Sequence, residues 1–246
     1  MRGLLVRVGA DQSDKGGGFN GPVDSRTGEF TYVPIPEDQE SRLDMKKPYA
    51  ENMLVSNAIS KLDISVSQPN MHLDPDFEHL TYGDERCKGC RIYTMWKESD
   101  GLDFLVFYAG LCDVNPDNEH LVYAIVGFYM IDEVIQATDV SPSRYDENAH
   151  TRRAQPREDE IVVRATRGES GRLERCMPIG CHRTHCDKPH GHLSYRVIPD
   201  FLTIWGGLLI SDGFLQRSAY LPEFKDAERF LKWFRKHRPK LIAQNN

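Results

Sequence analysis

The chain has 246 residues, of which 39% are hydrophobic and 10% aromatic, enough apolar material for a packed core and too much for wholesale disorder. Its net charge of −6 argues against a generally basic surface for duplex DNA, where phosphate neutralisation dominates affinity, and leaves only a local basic groove open. The opening MRGLLVRVGADQS does not read as a signal peptide, because its apolar run breaks at Arg7, and no stretch approaches the roughly 20 apolar residues that span a bilayer. The expected location is cytoplasmic, with no membrane partner, and there six cysteines read as thiols or metal ligands rather than disulfides.

Residues 3–8 (GLLVRV) read as a buried first strand. Residues 11–24 are glycine-rich and polar and read as a loop; three consecutive glycines permit close backbone approach to a ligand, but the Gly-Lys-Ser/Thr ending of a phosphate loop is missing. A second strand over 30–37 is stopped by prolines, and a helix is expected near 48–61. Residues 71–84 are polar and turn-rich. The strongest strand signals are DFLVFYAGL, 103–111, and HLVYAIVGFYMIDEVIQA, 120–137. The charged segment 141–158 reads as a long loop or lid, and EIVVRA, 160–165, as a further strand. Residues 226–237 form a helix with Phe230, Trp233, Phe234 and His237 on one face, Asp226 as N-cap and Pro239 beyond its end.

This order predicts an α+β (mixed α/β) fold in one domain over residues 1–246, a central twisted sheet or partial barrel with flanking helices and long metal-binding loops. The run LDFLVFYAGL…YAIVGFYMIDEVIQATD is similar to the strands of PUA/EVE-like small barrels, which read modified bases.

Two groups of residues carry metal chemistry. Cys87-Lys-Gly-Cys90 is a knuckle whose two sulfurs can reach one metal. Cys176, Cys181 and Cys186 follow at equal spacing in a cysteine- and histidine-rich loop over 176–192. The knuckle with two later cysteines makes a four-thiolate site suited to zinc or an iron–sulfur cluster, and a loop histidine such as His182 or His185 could replace a thiolate. Spacing does not choose between the metals. Cys112, at the end of an apolar strand, reads as a buried small hydrophobe. The second group is His72-x-Asp74, which on an extended segment projects an imidazole and a carboxylate to one side, as in a two-histidine, one-carboxylate iron site. The third ligand is open among His79, His120, His150 and His192. Arg152 and Arg153, behind His150, could grip a substrate carboxylate or phosphate.

Several stretches together, RVGADQS…GG-x-NGPVD…GEFTYVPIPE, HLDPDFEHLTYGD, FLVFYAGL, NAHTRR, SGRLER…PIG and DGFLQRSAYLPEF, resemble the nucleotide modification associated domain 3 family. The resemblance implies a soluble bacterial or phage-type protein linked to base modification, with an iron–sulfur cluster and a further oxygen-reactive iron; some members are associated with oxidation of peptides. It carries His72, Asp74 and His150 over as iron ligands.

Two functions follow as expectations. The first is a non-haem iron oxidase or oxygenase in which a [4Fe-4S] cluster on Cys87, Cys90, Cys181 and Cys186 relays electrons from an electron donor. An Fe(II) site on His72, Asp74 and His150 would then oxidise a small-molecule, nucleotide or peptide substrate in a pocket bordered by Asp11 and the glycine loop, with Arg152 as substrate anchor. The second is a binding module stapled by zinc or a cluster that reads modified nucleotides without catalysis, with Tyr108, Phe128 and Tyr129 stacking on a base. The oligomeric state is left open.

Overall fold

Strand alternation, more than helix propensity, sets the architecture. The structure, a computed structural model, describes residues 1–12, 17–61, 64, 66–115, 121–181, 196–215 and 221–246. Two apolar runs form its spine: β7, Phe104–Asp113, and β8, Leu121–Gln136, pair antiparallel. Residues β1, Gly3–Arg7, and β2, Gly21–Asp24, lie parallel to β7, at its start and its end respectively. A short β3, Glu29–Phe30, pairs with β2.

The 16 residues of β8 serve two partners on its other edge. Residues 122–128 pair with β10, Gly171–Cys181, which carries β11, Leu241–Ile242; residues 131–136 pair with β9, Ile161–Ala165, which carries β6, Thr81–Asp84. These nine strands curl into a half-barrel within a mixed α+β fold. A separate two-stranded ladder joins β4, Ile35–Pro36, to β5, Met71–His72.

The period-two pattern sorts the core into two layers. Leu4, Val6, Leu105, Phe107, Ala124 and Val126 face Phe77, Tyr82 and the buried Ile92 and Met95 of the helix α2, Arg86–Lys97. Leu5, Phe104, Val106, Tyr123, Ile125 and Phe128 face the other way, against Trp205 of a helix over Pro199–Trp205 and against Phe230, Leu231, Trp233 and Phe234 of the helix over Ala227–Lys236. The remaining helices are α1, Met53–Lys61, and the four-residue α3, Ala149–Arg152; in chain order the two C-terminal helices are α4 and α5.

The strands expected at 3–8, 103–111, 120–137 and 160–165 are present, as are the helices near 48–61 and at 226–237. In α5 the Asp226 carboxylate accepts from the Arg229 amide at 2.9 Å, the cap expected of it, and Phe230, Trp233 and Phe234 are buried while His237 is exposed. Three expectations are corrected. Residues 30–37 do not make one strand: the run breaks before Ile35, at Pro34, and ends at Pro36, leaving β3 and β4. The segment 141–158 is not a lid, since Asn148, His150, Thr151 and Arg152 are buried in it. The cysteine- and histidine-rich loop begins as strand, β10 running on through Cys181.

Candidate metal centre

The ladder of β4 and β5 places His72 opposite Ile35, and the chain leaving β4 brings Glu37 beside it. The Glu37 carboxylate lies 2.6 Å from His72 Nδ1, which donates to it and leaves Nε2 free to face inward. Asp74 follows two residues on. Its Oδ1 accepts from the Gly83 amide of β6 at 2.8 Å and from Asn148 Nδ2 at 3.2 Å, so Oδ2 is the oxygen left over.

His150 reaches the same point from α3. Asn148 caps that helix, its Oδ1 accepting from the His150 amide at 2.9 Å. One buried amide side chain therefore fixes two ligands: its oxygen sets the backbone of His150 and its nitrogen sets Asp74. Gly83 is demanded by the same arrangement, because a Cβ there would collide with the imidazole of His150.

The result is a buried convergence. One donor atom each from His72, Asp74 and His150 lies within 4.8 Å of the others. Asp74 Oδ2 is 3.8 Å from His72 Nε2 and 3.6 Å from His150 Nε2, and the two imidazoles stand edge to face with centroids 5.0 Å apart. Metal bonds of about 2.0–2.2 Å hold donors about 3–3.5 Å apart, so a small inward closure suffices. Behind His150, Glu160 Oε2 lies 3.6 Å from Nδ1, and neither atom has another hydrogen-bond partner. Both histidines are thus backed by a carboxylate on the nitrogen away from the centre, the arrangement that orients imidazole ligands on a metal. Two imidazoles, one carboxylate and open positions toward a cavity suit a divalent transition metal, and Fe(II) above all.

The electrostatics agree. Burial alone would lower the basicity of His150, but Asp74 and Glu160 outweigh it and raise its pKa to about 9. Burial would raise Glu160, yet His150 and Arg153 hold it below the usual carboxylate range.

The centre opens on a cavity of about 730 Å³ whose wall includes Arg7, Asp11, Asp84, Lys88, Arg153 and Arg157. Asp11 lies 3.6 Å from Arg7. Burial pushes the Asp84 carboxyl upward, and it accepts from the Tyr82 hydroxyl. A second grouping of donors, Glu85, His150 and Glu160, lies alongside, but the Arg153 guanidinium bonds both of its carboxylates and fills the place of a cation there.

The model of the nucleotide modification associated domain 3 family matches residues 2–194. The chain belongs to that family. No curated protein and no solved structure matches the chain. The match to nucleotide modification associated domain 3 takes in the whole triad, the carboxylates behind it and the cavity wall, and it ends before α4 and α5.

Of the residues expected at the site, His72, Asp74 and His150 come together and Asp11 borders the cavity. Arg152 does not. It is buried away from the cavity, donating to the Asp76 carboxylate, and to the Asp146 carbonyl at 3.0 Å through Nε, so it braces the chain beneath the site. The arginine on the cavity wall is its neighbour Arg153.

Cys176 is likewise corrected. Its side chain is packed in the layer of Val23, Leu111 and Val122, where burial raises the thiol to about 12 and keeps it protonated, unlike a ligand thiolate. Cys112, expected to be buried, is exposed. Cys87 and Cys90 are both exposed and stand one turn apart on α2. The described part of Cys181 is its backbone at the end of β10, and His182, His185 and Cys186, with His120 and His192, lie outside the described residues. His79 turns to Asp76, 3.1 Å away. Tyr108, Phe128 and Tyr129 are buried core residues away from this cavity. Among the described residues no helix is long and apolar enough to cross a membrane.

Glu37 and Glu160 were not foreseen. Glu37 is 35 residues from His72 and Glu160 follows His150 across the rest of the charged segment, so only the β4–β5 ladder and the start of β9 bring them in.

Proposed function

We propose that this member of the family is a non-haem iron oxidoreductase whose Fe(II) is held by His72, Asp74 and His150 and whose substrate occupies the adjoining cavity. The observation that carries the reading is the convergence of two imidazoles and one carboxylate, each oriented from behind and facing open space. When bound, the iron would supply a centre for dioxygen chemistry.

The chain's own residues do the rest. Glu37 and Glu160 keep the histidine Nδ1 atoms engaged, so that both Nε2 lone pairs point at the metal. Gly83 and Asn148 hold Asp74 Oδ1 and leave Oδ2 as the single charged donor. Asp84, with Tyr82 donating to it, stands on the wall as a carboxyl that burial pushes above the usual carboxylate range. The charged wall suits a polar substrate of the nucleotide or peptide type.

A [4Fe-4S] cluster on Cys87 and Cys90, completed by Cys181 and Cys186, would relay electrons from a donor. What favours it is the paired exposure of the first two thiols on α2, whose preceding residue Glu85 lines the cavity.

Iron and sulfide analysis of anaerobically purified protein, with EPR of the nitric oxide adduct, tests the proposal. A half-integer-spin nitrosyl signal lost in Asp74→Ala is the expected result. Zinc in place of iron, with no nitrosyl signal, would overturn it.

A further inference from the structure

Arg153 stands between the supports of both histidines, hydrogen-bonded to one and within ion-pair range of the other. Its Nη1 bonds Glu160 Oε1 and lies 2.9 Å from Glu85 Oε2, while its Nη2 lies 3.8 Å from Glu37 Oε1. The other oxygen of each glutamate faces a ligand: Glu37 Oε2 is 2.6 Å from His72 Nδ1, and Glu160 Oε2 is 3.6 Å from His150 Nδ1. The connection therefore runs His72–Glu37–Arg153–Glu160–His150, and the metal would close it through the two Nε2 atoms.

Every member of this ring is buried. Glu37 comes from the end of β4, Arg153 from the end of α3 and Glu160 from the entry to β9, so the ring ties β4 to a stretch much later in the chain where the other two stand seven residues apart. The backbone holds the arginine in place. Ser41 bridges Arg153, and the Ala154 amide donates to the Glu40 carbonyl at 2.8 Å.

We propose that Arg153 is the positioning residue of the metal centre: a single guanidinium that sets the orientation and the basicity of both histidine ligands through their glutamates. The inference rests on the reading of His72, Asp74 and His150 as metal ligands. A planar, forked cation can hold two carboxylates at a fixed angle; an ammonium can supply the charge but not the fork. With the guanidinium removed, Glu160 Oε1 keeps only Arg157, 3.6 Å away, and Glu37 Oε1 only the Gln39 amide at 2.9 Å among the described residues, and the imidazoles lose their common reference. Carboxylates behind ligands typically change metal affinity by about 10–100-fold when disturbed, and one group acting on both histidines belongs at the upper end.

The test uses the full chain, with Fe(II) and Co(II) as probes. Dissociation constants are measured by anaerobic chelator competition, alongside the ligand-field bands of the Co(II) form, for wild type, Arg153→Lys, Arg153→Gln, Glu37→Gln and the Arg153→Gln/Glu37→Gln pair. The expected result is a loss of about 100-fold in Arg153→Gln, a smaller loss in Arg153→Lys, shifted Co(II) bands in both, and a double variant no worse than Arg153→Gln. If Arg153→Gln does not fold, Arg153→Lys and Glu37→Gln carry the same prediction. Variants with wild-type affinity and unshifted bands, even at a lowered unfolding temperature, would make Arg153 a merely structural brace and overturn the proposal alone. A wild-type chain that binds neither ion overturns the metal reading beneath it.

Discussion

On one face of the sheet Phe104, Phe224, Phe230, Trp205 and Trp233 meet ring against ring, with Phe224 and Phe230 centroids 4.1 Å apart. On the other, the apolar layer of Leu73, Phe77 and Tyr82 adjoins buried charge: His72, Asp74, Asp76, His150, Arg153 and Glu160. The same strands serve both faces. The first gains from area removed from water, which is insensitive to exact placement. The second spends stability to desolvate ionised groups and recovers it only where each finds its partner. Apolar packing thus explains why the chain folds, while the expensive face shows where it works.

This contrast can be broken from either side. The largest effect is expected at the charged face: His150→Ala or His72→Ala should cut the mononuclear iron, read as the nitrosyl EPR signal, to less than about a tenth of wild type while the sulfide-associated iron stays, with the α5 face intact by near-ultraviolet circular dichroism. Retention of that signal would remove these residues from the centre. Next, Phe230→Ala should cost about 3–5 kcal/mol in urea denaturation, while the protein still folded keeps its metal affinity. A parallel loss of affinity would show the two faces to be one cooperative device.

Gly83→Ala should weaken Fe(II) binding about 10–100-fold without altering any ligand, because the added methyl displaces the His150 ring. Chelator competition checks it, and unchanged affinity would mean that the ring has room to turn. The smallest effect is in acid. Burial would raise Glu85, but Arg153 and Arg157 hold it down to about 2. A depressed pKa stabilises above the unfolded value of about 4.3 and ceases to do so as the pH falls towards about 2. Partial exposure limits the contribution to about 1 kcal/mol or less. The gap in unfolding free energy between wild type and Glu85→Gln should narrow from pH 5 downward; a gap that widens would contradict the pairing.

What was legible in the sequence follows from range. Strands β1, β7, β8 and β9 and helix α5 announce themselves because their period lies within the element. His72 and Asp74 were legible for the same reason, being two residues apart on one strand end. Helix α2 carries a weak apolar period, because only Gly89, Ile92 and Met95 mark its buried side around the CKGC thiols. Strand β10 was hidden by register shifts that disturb its alternation. The choice between Arg152 and Arg153 could not be made from two adjacent identical residues; the turn of α3 sends one inward to Asp76 and the other to the cavity. The glutamates behind the histidines have no local signature at all.

Asn148 has a consequence for the working life of the protein. Its nitrogen donates to Asp74 while its oxygen accepts from the His150 amide, so its acid isostere would fill the same space and yet set oxygen against oxygen at Asp74. Loss of ammonia from this one side chain, an ageing reaction that alters no volume, would push two ligands apart. Hydrolysis needs water and a mobile backbone, and Asn148 is 0% exposed at the cap of a helix. Burial here acts as preservation, guarding the residue whose spontaneous decay the centre could least survive.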